Sequence, residues 1–475
     1  MRFDLLTIGG GFSGLVTACR AGELGLRAAV LEARTEERYP CSSRWSTGVF
    51  GVMGISLANP PDVLARAILD GTDGTADPAL AHAVAANARR AQEWLVQEGA
   101  RFEVRGALTQ SQHVLAPVRR FDAAGLDWDE RGADLFLRRL EANLARRGGA
   151  VLRGTHVESL IVENGACVGV IATRDGRRER IDAAAVVIAD GGFAANPRLV
   201  GKYLTPRADR VLARVGPGAQ GDGIVMAEAA GAAIGGFGAF YGHIHHRDAM
   251  HNPALWPYPH FDALATVSLL VGPDGRRFAD EGLGGVYLTN AIARLDDPLS
   301  AFIVLDDAMW RGAPGEAGPV ACNPTLQAAG GWLHSAPDLA GLAVQAGLPA
   351  DAFAATVRQY NDAVGSGRFG DLPVPRSTRS VKPLPIATPP FHAAPLCAGV
   401  TGTMGGVVID AQAQAKRPDG SAFPGLYAVG TPVAHLEGGP RAGYVGGLCK
   451  GFVLGLLAAE HIASLNPISA APVRS

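Results

Sequence analysis

Apolar residues along this chain recur in two rhythms. Leu5 to Ile8 is a short apolar run, Gly14 to Leu26 carries apolar residues at helical spacing, and Arg27 to Glu32 (RAAVLE) is apolar again. That succession predicts strand, helix and strand, a βαβ unit whose crossover is right-handed. Helical periodicity returns over Ala79 to Glu98 and over Gly132 to Arg147. Thr155 to Thr173 alternates around Asn164-Gly165, as a tight hairpin does, and Asp175-Gly176 marks the next turn. Ala183 to Ala189 (AAAVVIA) reads as another buried strand, ending at Gly191-Gly192.

From about Phe237 to Gly399 the pattern changes. Aromatics, Pro and His crowd together (FYGHIHHRDAMHNPALWPYPH), and short strands mix with helices. We assign residues 239–400 to an inserted α+β domain. From Pro424 the earlier style returns, with a strand-like GLYAVG, a glycine-rich loop and a long apolar helix. Residues 1–238 and 401–475 are therefore expected to form one discontinuous Rossmann-type α/β domain.

A length of 475 residues agrees with this division, since it exceeds what one hydrophobic core usually serves. A net charge of −2 without a long basic block argues against nucleic acid or an anionic membrane as the main partner. Six cysteines are scattered without CxxC or zinc-ligand spacing, which points to reduced thiols. The first strand starts at once, leaving no room for a signal peptide, and Lys450 interrupts the short apolar stretch Gly446 to Ala459. A soluble, cytoplasmic protein is the expectation.

The strongest chemical motif is Gly9-Gly10-Gly11-Phe12-Ser13-Gly14, a GxGxxG that follows a strand and opens a helix. Gly9 suits the tight turn, Gly11 lets backbone approach a pyrophosphate, and Gly14 lets helix and strand pack closely. Glu32 ends the second strand, where a carboxylate accepts from ribose hydroxyls. A second match, Gly216 to Gly221, follows only a weak strand and has no acidic residue at the right distance. We read it as a decoy and expect one dinucleotide site.

Seven segments occur in order: TIGGGFSG, SSRWSTG, VIADGGFAANP, QGDGIVMAEAAGA, GPDGRRFADE, TGTMGGVVID and PGLYAVG. Together they resemble the FAD-dependent fumarate reductase/succinate dehydrogenase flavoprotein family, over nearly the whole chain. Within it, the soluble tricarballylate-dehydrogenase-like and 3-ketosteroid-dehydrogenase-like branches are the nearer likeness. The resemblance implies that the inserted domain caps an FAD. It implies FAD contacts at Gly9, Gly11, Gly14 and Glu32, with Val157 and Gly191 near the adenosine. Ser43, Ser46, Thr47 and Gly48 would lie near the flavin, and Gly430, Gly447 and Leu448 would close the site. Family members with covalent FAD carry a His in the segment matching Ser43 to Ser46; none stands here, so noncovalent FAD is expected.

The family's reacting residues are only partly present. Arg441 matches a substrate-binding Arg before the last helix, with a structural Arg as the alternative. The His of the family's HTMGG is replaced by Gly402, and the proton-donating Arg is absent, Gly282 to Tyr287 standing there instead. Tyr287 is the nearest proton-moving group, and a packing role is equally open to it. Among Tyr241, His243, His245, His246 and His251, position favours His243 as a substrate contact. Tyr444 is a further pocket candidate, and no metal is expected. The implied activity is dehydrogenation or reduction of a carbon–carbon bond beside a carbonyl or carboxylate of a small molecule, with an unidentified electron partner. The alternative is a noncatalytic flavoprotein that keeps the fold.

Overall fold

Strand Arg2–Ile8 lies at the middle of the larger sheet, pairing in parallel with Ala28–Leu31 (Leu5 opposite Ala28) and with Arg177–Ile188 (Leu5 opposite Ala185). The computed structural model describes residues 2–105, 112–119, 124–312, 322–378 and 381–465. The sheet runs Gln414–Lys416, Ala422–Ala428, Arg177–Ile188, Arg2–Ile8, Ala28–Leu31, Ala150–Leu152. All but the first of these pair in parallel. Leu5, Leu6, Val30 and Val187 are fully buried, as a parallel sheet covered on both faces requires. Helices Phe12–Glu23, Gly132–Arg146 and Gly447–Leu465 contribute to the same core.

Two tight turns extend this sheet. Asn164 (φ 48°) and Gly165 (φ 77°) join Thr155–Glu163 to Ala166–Arg174. Asp175 (φ 51°) and Gly176 (φ 73°) then lead into Arg177–Ile188. Left-handed backbone at both central residues matches the right-handed strand twist, which is why Asn-Gly and Asp-Gly occur there.

The second sheet is organised by one long strand, Phe391–Thr403. It pairs in parallel with Leu212–Ala213 and antiparallel with Phe240–His246, Phe302–Asp306 and His334–Ala336; Leu269–Val271 adds to Phe302–Asp306. A separate apolar cluster that includes Ile303, Leu305, Phe353 and Leu396 packs around it. Leu212–Ala213 belongs to this sheet although it precedes residue 239. Strand pairing, not the crowding of His and aromatics, sets where the sheet begins.

Helix Gly447–Leu465 runs beyond Ala459 and is long and apolar enough to cross a membrane by length and composition. Within the fold its Phe452, Val453 and Leu456 are buried in the same core as Leu15 and Val16 of Phe12–Glu23.

Candidate active site

The glycine-rich turn after Arg2–Ile8 forms one end of a cleft of about 1120 Å³, its open mouth included. Gly9 has φ +104°, and a Cβ there would sit 2.7 Å from the Ala189 carbonyl oxygen. A Cβ on Gly14 would lie 2.1 Å from the Gly9 carbonyl oxygen, so only glycine lets helix Phe12–Glu23 pack this closely on the strand. The N-cap residue Gly11 has no side chain to cap that helix, whose N-terminus offers its remaining N–H groups and positive dipole end to an anion. Glu32 faces the cleft and also braces the turn. Its Oε2 accepts from Gly10 N at 3.0 Å and its Oε1 from Arg34 N at 2.9 Å. Burial raises its pKa in spite of those bonds.

The second glycine motif proves to line this same cleft, through Gly216 and Gly218. Gly216 N donates to Ser42 Oγ at 3.1 Å, and Gly221, with φ +77°, starts helix Asp222–Ala229. It is neither an idle decoy nor a second nucleotide site. Gly223 of that helix donates its N–H to Asp190 Oδ2 at 2.7 Å, while Asp190 Oδ1 has no hydrogen-bond partner among the described residues. Burial pushes this carboxyl up to about 7.

A carboxyl whose folded pKa is raised holds its proton longer in the folded state than in the unfolded chain. Its contribution to stability is therefore complete below about pH 4, is lost as pH rises towards 7, and changes little above. FAD-stripped protein should show this slope in its urea midpoints, and Asp190→Asn should flatten that segment by about one proton. Identical slopes for the two proteins would mean that Asp190 ionises normally.

A larger chamber of about 1770 Å³, mouth included, continues from the cleft. Ser13, Ser43, Gly216, Thr401, Gly402, Thr403 and Thr431 line both, so the two are one channel. The end of Phe391–Thr403 thus carries the second sheet to the cofactor cleft. Buried Arg44, paired with buried Asp134 and donating from Nε to Tyr39 O at 3.0 Å, fixes the turn that presents Ser43. Ser43 Oγ in turn accepts from Phe12 N at 3.0 Å.

The sequence-predicted cofactor residues are distributed along this channel. Gly9, Gly11, Glu32, Val157 and Gly191 line the cleft, Ser43 lines both spaces, and Ser46, Thr47, Gly48, Gly447 and Leu448 line the chamber. Gly14 and Gly430 stand behind the lining; a Cβ on Gly430 would meet Ser13 Oγ at 2.4 Å.

Of the residues expected to react, His243 lines the chamber, whereas Tyr287 and Arg441 do not. Arg441 sits in a tight turn, where Ala442 N donates to Gly439 O at 3.0 Å. It points outward, its Nε 2.6 Å from Asp73 Oδ1 and its Nη2 2.6 Å from Asp70 O. Helix Gly285–Ala293 turns Val286 towards Tyr241 and Tyr444, so Tyr287, one position on, swings away and packs against the second core. Arg294 ends the same helix and donates from Nη2 to Gly238 O at 3.0 Å.

His243 Nδ1 lies 2.7 Å from Asp262 Oδ2, and Asp262 Oδ1 accepts from Ile244 N at 2.8 Å. The His260 ring stacks on His243 at 4.5 Å between centroids. Burial alone would raise the Asp262 pKa, but His260, His243 and the hydrogen bonds outweigh it and hold the carboxyl well below the usual range. Burial lowers the His243 pKa against the pull of Asp262. The pair is therefore a neutral imidazole beside a carboxylate: Nδ1–H donates, and Nε2 keeps its lone pair. Tyr241 stacks on Tyr444 at 3.8 Å, and burial pushes both phenols up, so they stay protonated.

Sequence reading missed Asp262, Arg119, Arg214 and the buried Lys450–Glu437 pair, all of which line the chamber or act through a residue that does. The one available signal was Asp262, which closes the aromatic- and His-rich run two residues after His260.

A helix N-terminus and glycine backbone at one end, and a broad aromatic-walled chamber at the other, fit an extended dinucleotide with a flat ring system. This is the architecture of a flavin-binding α/β protein with an inserted second sheet. The chain belongs to the FAD binding domain family, whose model matches residues 4–443, so the resemblance read from its motifs holds at the family level. FAD is its cofactor, held without a covalent link.

The chain is 29% identical to an NADH:acrylate oxidoreductase of Vibrio harveyi over 345 residues, 70% of this chain and 32% of that protein. It is 31% identical to a 3-oxosteroid 1-dehydrogenase of Mycobacterium tuberculosis over 361 residues, 68% of this chain and 62% of that protein. It thus spans less than two thirds of either relative's length. The 3-ketosteroid delta1-dehydrogenase from Sterolibacterium denitrificans, solved with 1,4-androstadiene-3,17-dione, superposes with a TM-score of 0.79 at 20% identity. That match covers 98% of this chain and 100% of the other, and shows a shared fold.

Proposed function

We propose that this chain is an FAD-dependent oxidoreductase that removes or adds hydrogen across a carbon–carbon bond beside a carbonyl or carboxylate. The observation that carries this reading is the His243–Asp262 pair in the wall of a chamber continuous with the cofactor cleft. Both curated relatives bear oxidoreductase or dehydrogenase names, which supports the reaction class. FAD, when bound, supplies the two-electron exchange.

The chain's own residues bind, orient and manage the proton. His243 Nε2 takes a proton from the carbon next to the activating group, or returns one in the reductive direction. Asp262 holds the tautomer that makes this possible and stabilises the imidazolium that forms. Donors in the chamber wall, the Tyr241 and Tyr444 hydroxyls among the candidates, stabilise charge that develops on the substrate oxygen. This assigns to His243 the proton handling first sought near Tyr287.

An absorption spectrum of the purified protein, followed by anaerobic titration with saturated and unsaturated acids and ketones, tests the reading. Bleaching of the yellow flavin by a saturated compound, or reoxidation of the reduced protein by an unsaturated one, is the expected result. A yellow protein that exchanges electrons with neither kind of compound would instead be a noncatalytic flavoprotein.

A further inference from the structure

Among the described residues, four buried nitrogen donors on residues that line the chamber have no acceptor: Arg119 Nε and Nη2, Trp45 Nε1 and Trp256 Nε1. They belong to one patch. Arg119 Nη1 donates to Trp45 O at 2.6 Å, and the two indoles meet edge to face at 5.6 Å. Arg119 and Arg214 each lie 5.3 Å from the centre of the Tyr258 ring. Arg214 is tied to neutral acceptors only, Pro257 O at 3.0 Å and Thr401 Oγ1 at 3.1 Å.

The patch is also electrically unbalanced. Arg119 is 3% exposed and Arg214 9%, and neither forms an ion pair among the described residues. Glu437, the carboxylate in this wall, is taken by Lys450, and Asp127 nearby is held by Arg131 through contacts of 3.1–3.2 Å. Burial pushes the Arg119 guanidinium down to about 10, which leaves it charged at neutral pH. Two buried cations without a counter-charge, one of them with unpartnered nitrogens, are expensive unless a ligand supplies the acceptor. The FAD pyrophosphate does not answer this need, because neither arginine lines the cleft where the helix N-terminus waits.

A ketone or a carboxylate can accept from a donor-only patch, but of the two only the carboxylate also supplies the negative charge that two buried guanidiniums lack. The rest of the chamber shapes the body of the ligand. Phe12, Leu126, Pro257 and Tyr258 join the two indoles in a largely apolar wall; His243 stays neutral and Lys450 is paired with Glu437, so among the described residues no second unpaired cation faces the first. We propose that the Arg119–Arg214 patch binds the single carboxylate of a substrate with a bulky apolar or aromatic body, in preference to a small dicarboxylate or a neutral ketone. This rests on the reading of the chamber as the substrate site.

Isothermal titration of the FAD-loaded chain with 3-phenylpropanoate, 3-phenylpropanamide and succinate tests the proposal without requiring turnover. The aromatic acid should bind on the order of tenfold to a hundredfold tighter than either the amide or succinate. Arg119→Gln should remove the acid's advantage over the amide without loss of bound FAD, and Arg119→Lys should restore part of it. Equal affinity for acid and amide, tighter binding of succinate, no binding of the acid, or an unaffected Arg119→Gln would each overturn the proposal. Selective binding of the acid by a protein whose flavin exchanges electrons with no compound would sink the oxidoreductase reading and leave this one standing.

Discussion

Asp262→Asn is expected to lower turnover by on the order of a hundredfold or more while the protein keeps its FAD. The carboxylate accepts the Nδ1 proton of His243, which leaves Nε2 unprotonated on the other side of the ring. An amide binds that proton weakly, frees the opposite tautomer and no longer stabilises the imidazolium. His243→Ala removes the base itself, and the loss should be roughly 10²–10⁴-fold, the usual worth of general-base catalysis. The pH profile separates this role from a structural one. Burial depresses the His243 pKa, so activity should hold as pH falls to the ordinary histidine value of about 6.5 and decline only below it. Asp262 raises that pKa by stabilising the cation; without it, the acid limb of kcat/KM should move to still lower pH. Turnover unchanged in Asp262→Asn, or an acid limb that stays put, would reduce the pair to a piece of wall.

Why the cofactor half of this protein was legible, and the substrate half was not, follows from how each is built. The βαβ unit is contiguous: strand Arg2–Ile8, the glycine turn and helix Phe12–Glu23 follow within a few dozen residues, and each glycine answers a local steric demand. The hairpins were equally local, since Asn164-Gly165 and Asp175-Gly176 carry their turn geometry in their own backbone. The chamber is assembled from a distance. His243, Arg214 and Thr401 meet because Phe391–Thr403 pairs with both Phe240–His246 and Leu212–Ala213, and nothing in the spacing of these segments announces that pairing. Arg119 lies in a stretch without periodicity. Tyr287 and Arg441 were chosen by their place in motifs, and one residue of helical rotation in the first case and one tight turn in the second put them outside the wall. Motif position names a neighbourhood; side-chain direction decides membership.

Lys450→Met should destabilise the protein by about 3–5 kcal/mol, the usual range when one partner of a buried ion pair is removed. Lys450 and Glu437 are each 3% exposed and pair at the chamber wall. Glu437 Oε1 also accepts from Val445 N at 3.0 Å and Gly446 N at 3.3 Å, so the pair holds the loop that leads into helix Gly447–Leu465. Methionine matches the length of lysine but leaves the Glu437 carboxylate with backbone donors alone in a dry site. Lys450→Met/Glu437→Leu removes both charges, and it should recover more than half of the loss, because two apolar groups of similar size need no partner. Thermal midpoints of the FAD-loaded and FAD-stripped proteins measure both effects. A larger drop for the loaded protein would show that the pair also shapes the wall against the flavin, since Gly447 and Leu448 follow directly from the loop it fixes. An unchanged midpoint in Lys450→Met would mean that water or local rearrangement already compensates Glu437, and that the pair contributes nothing to holding this loop.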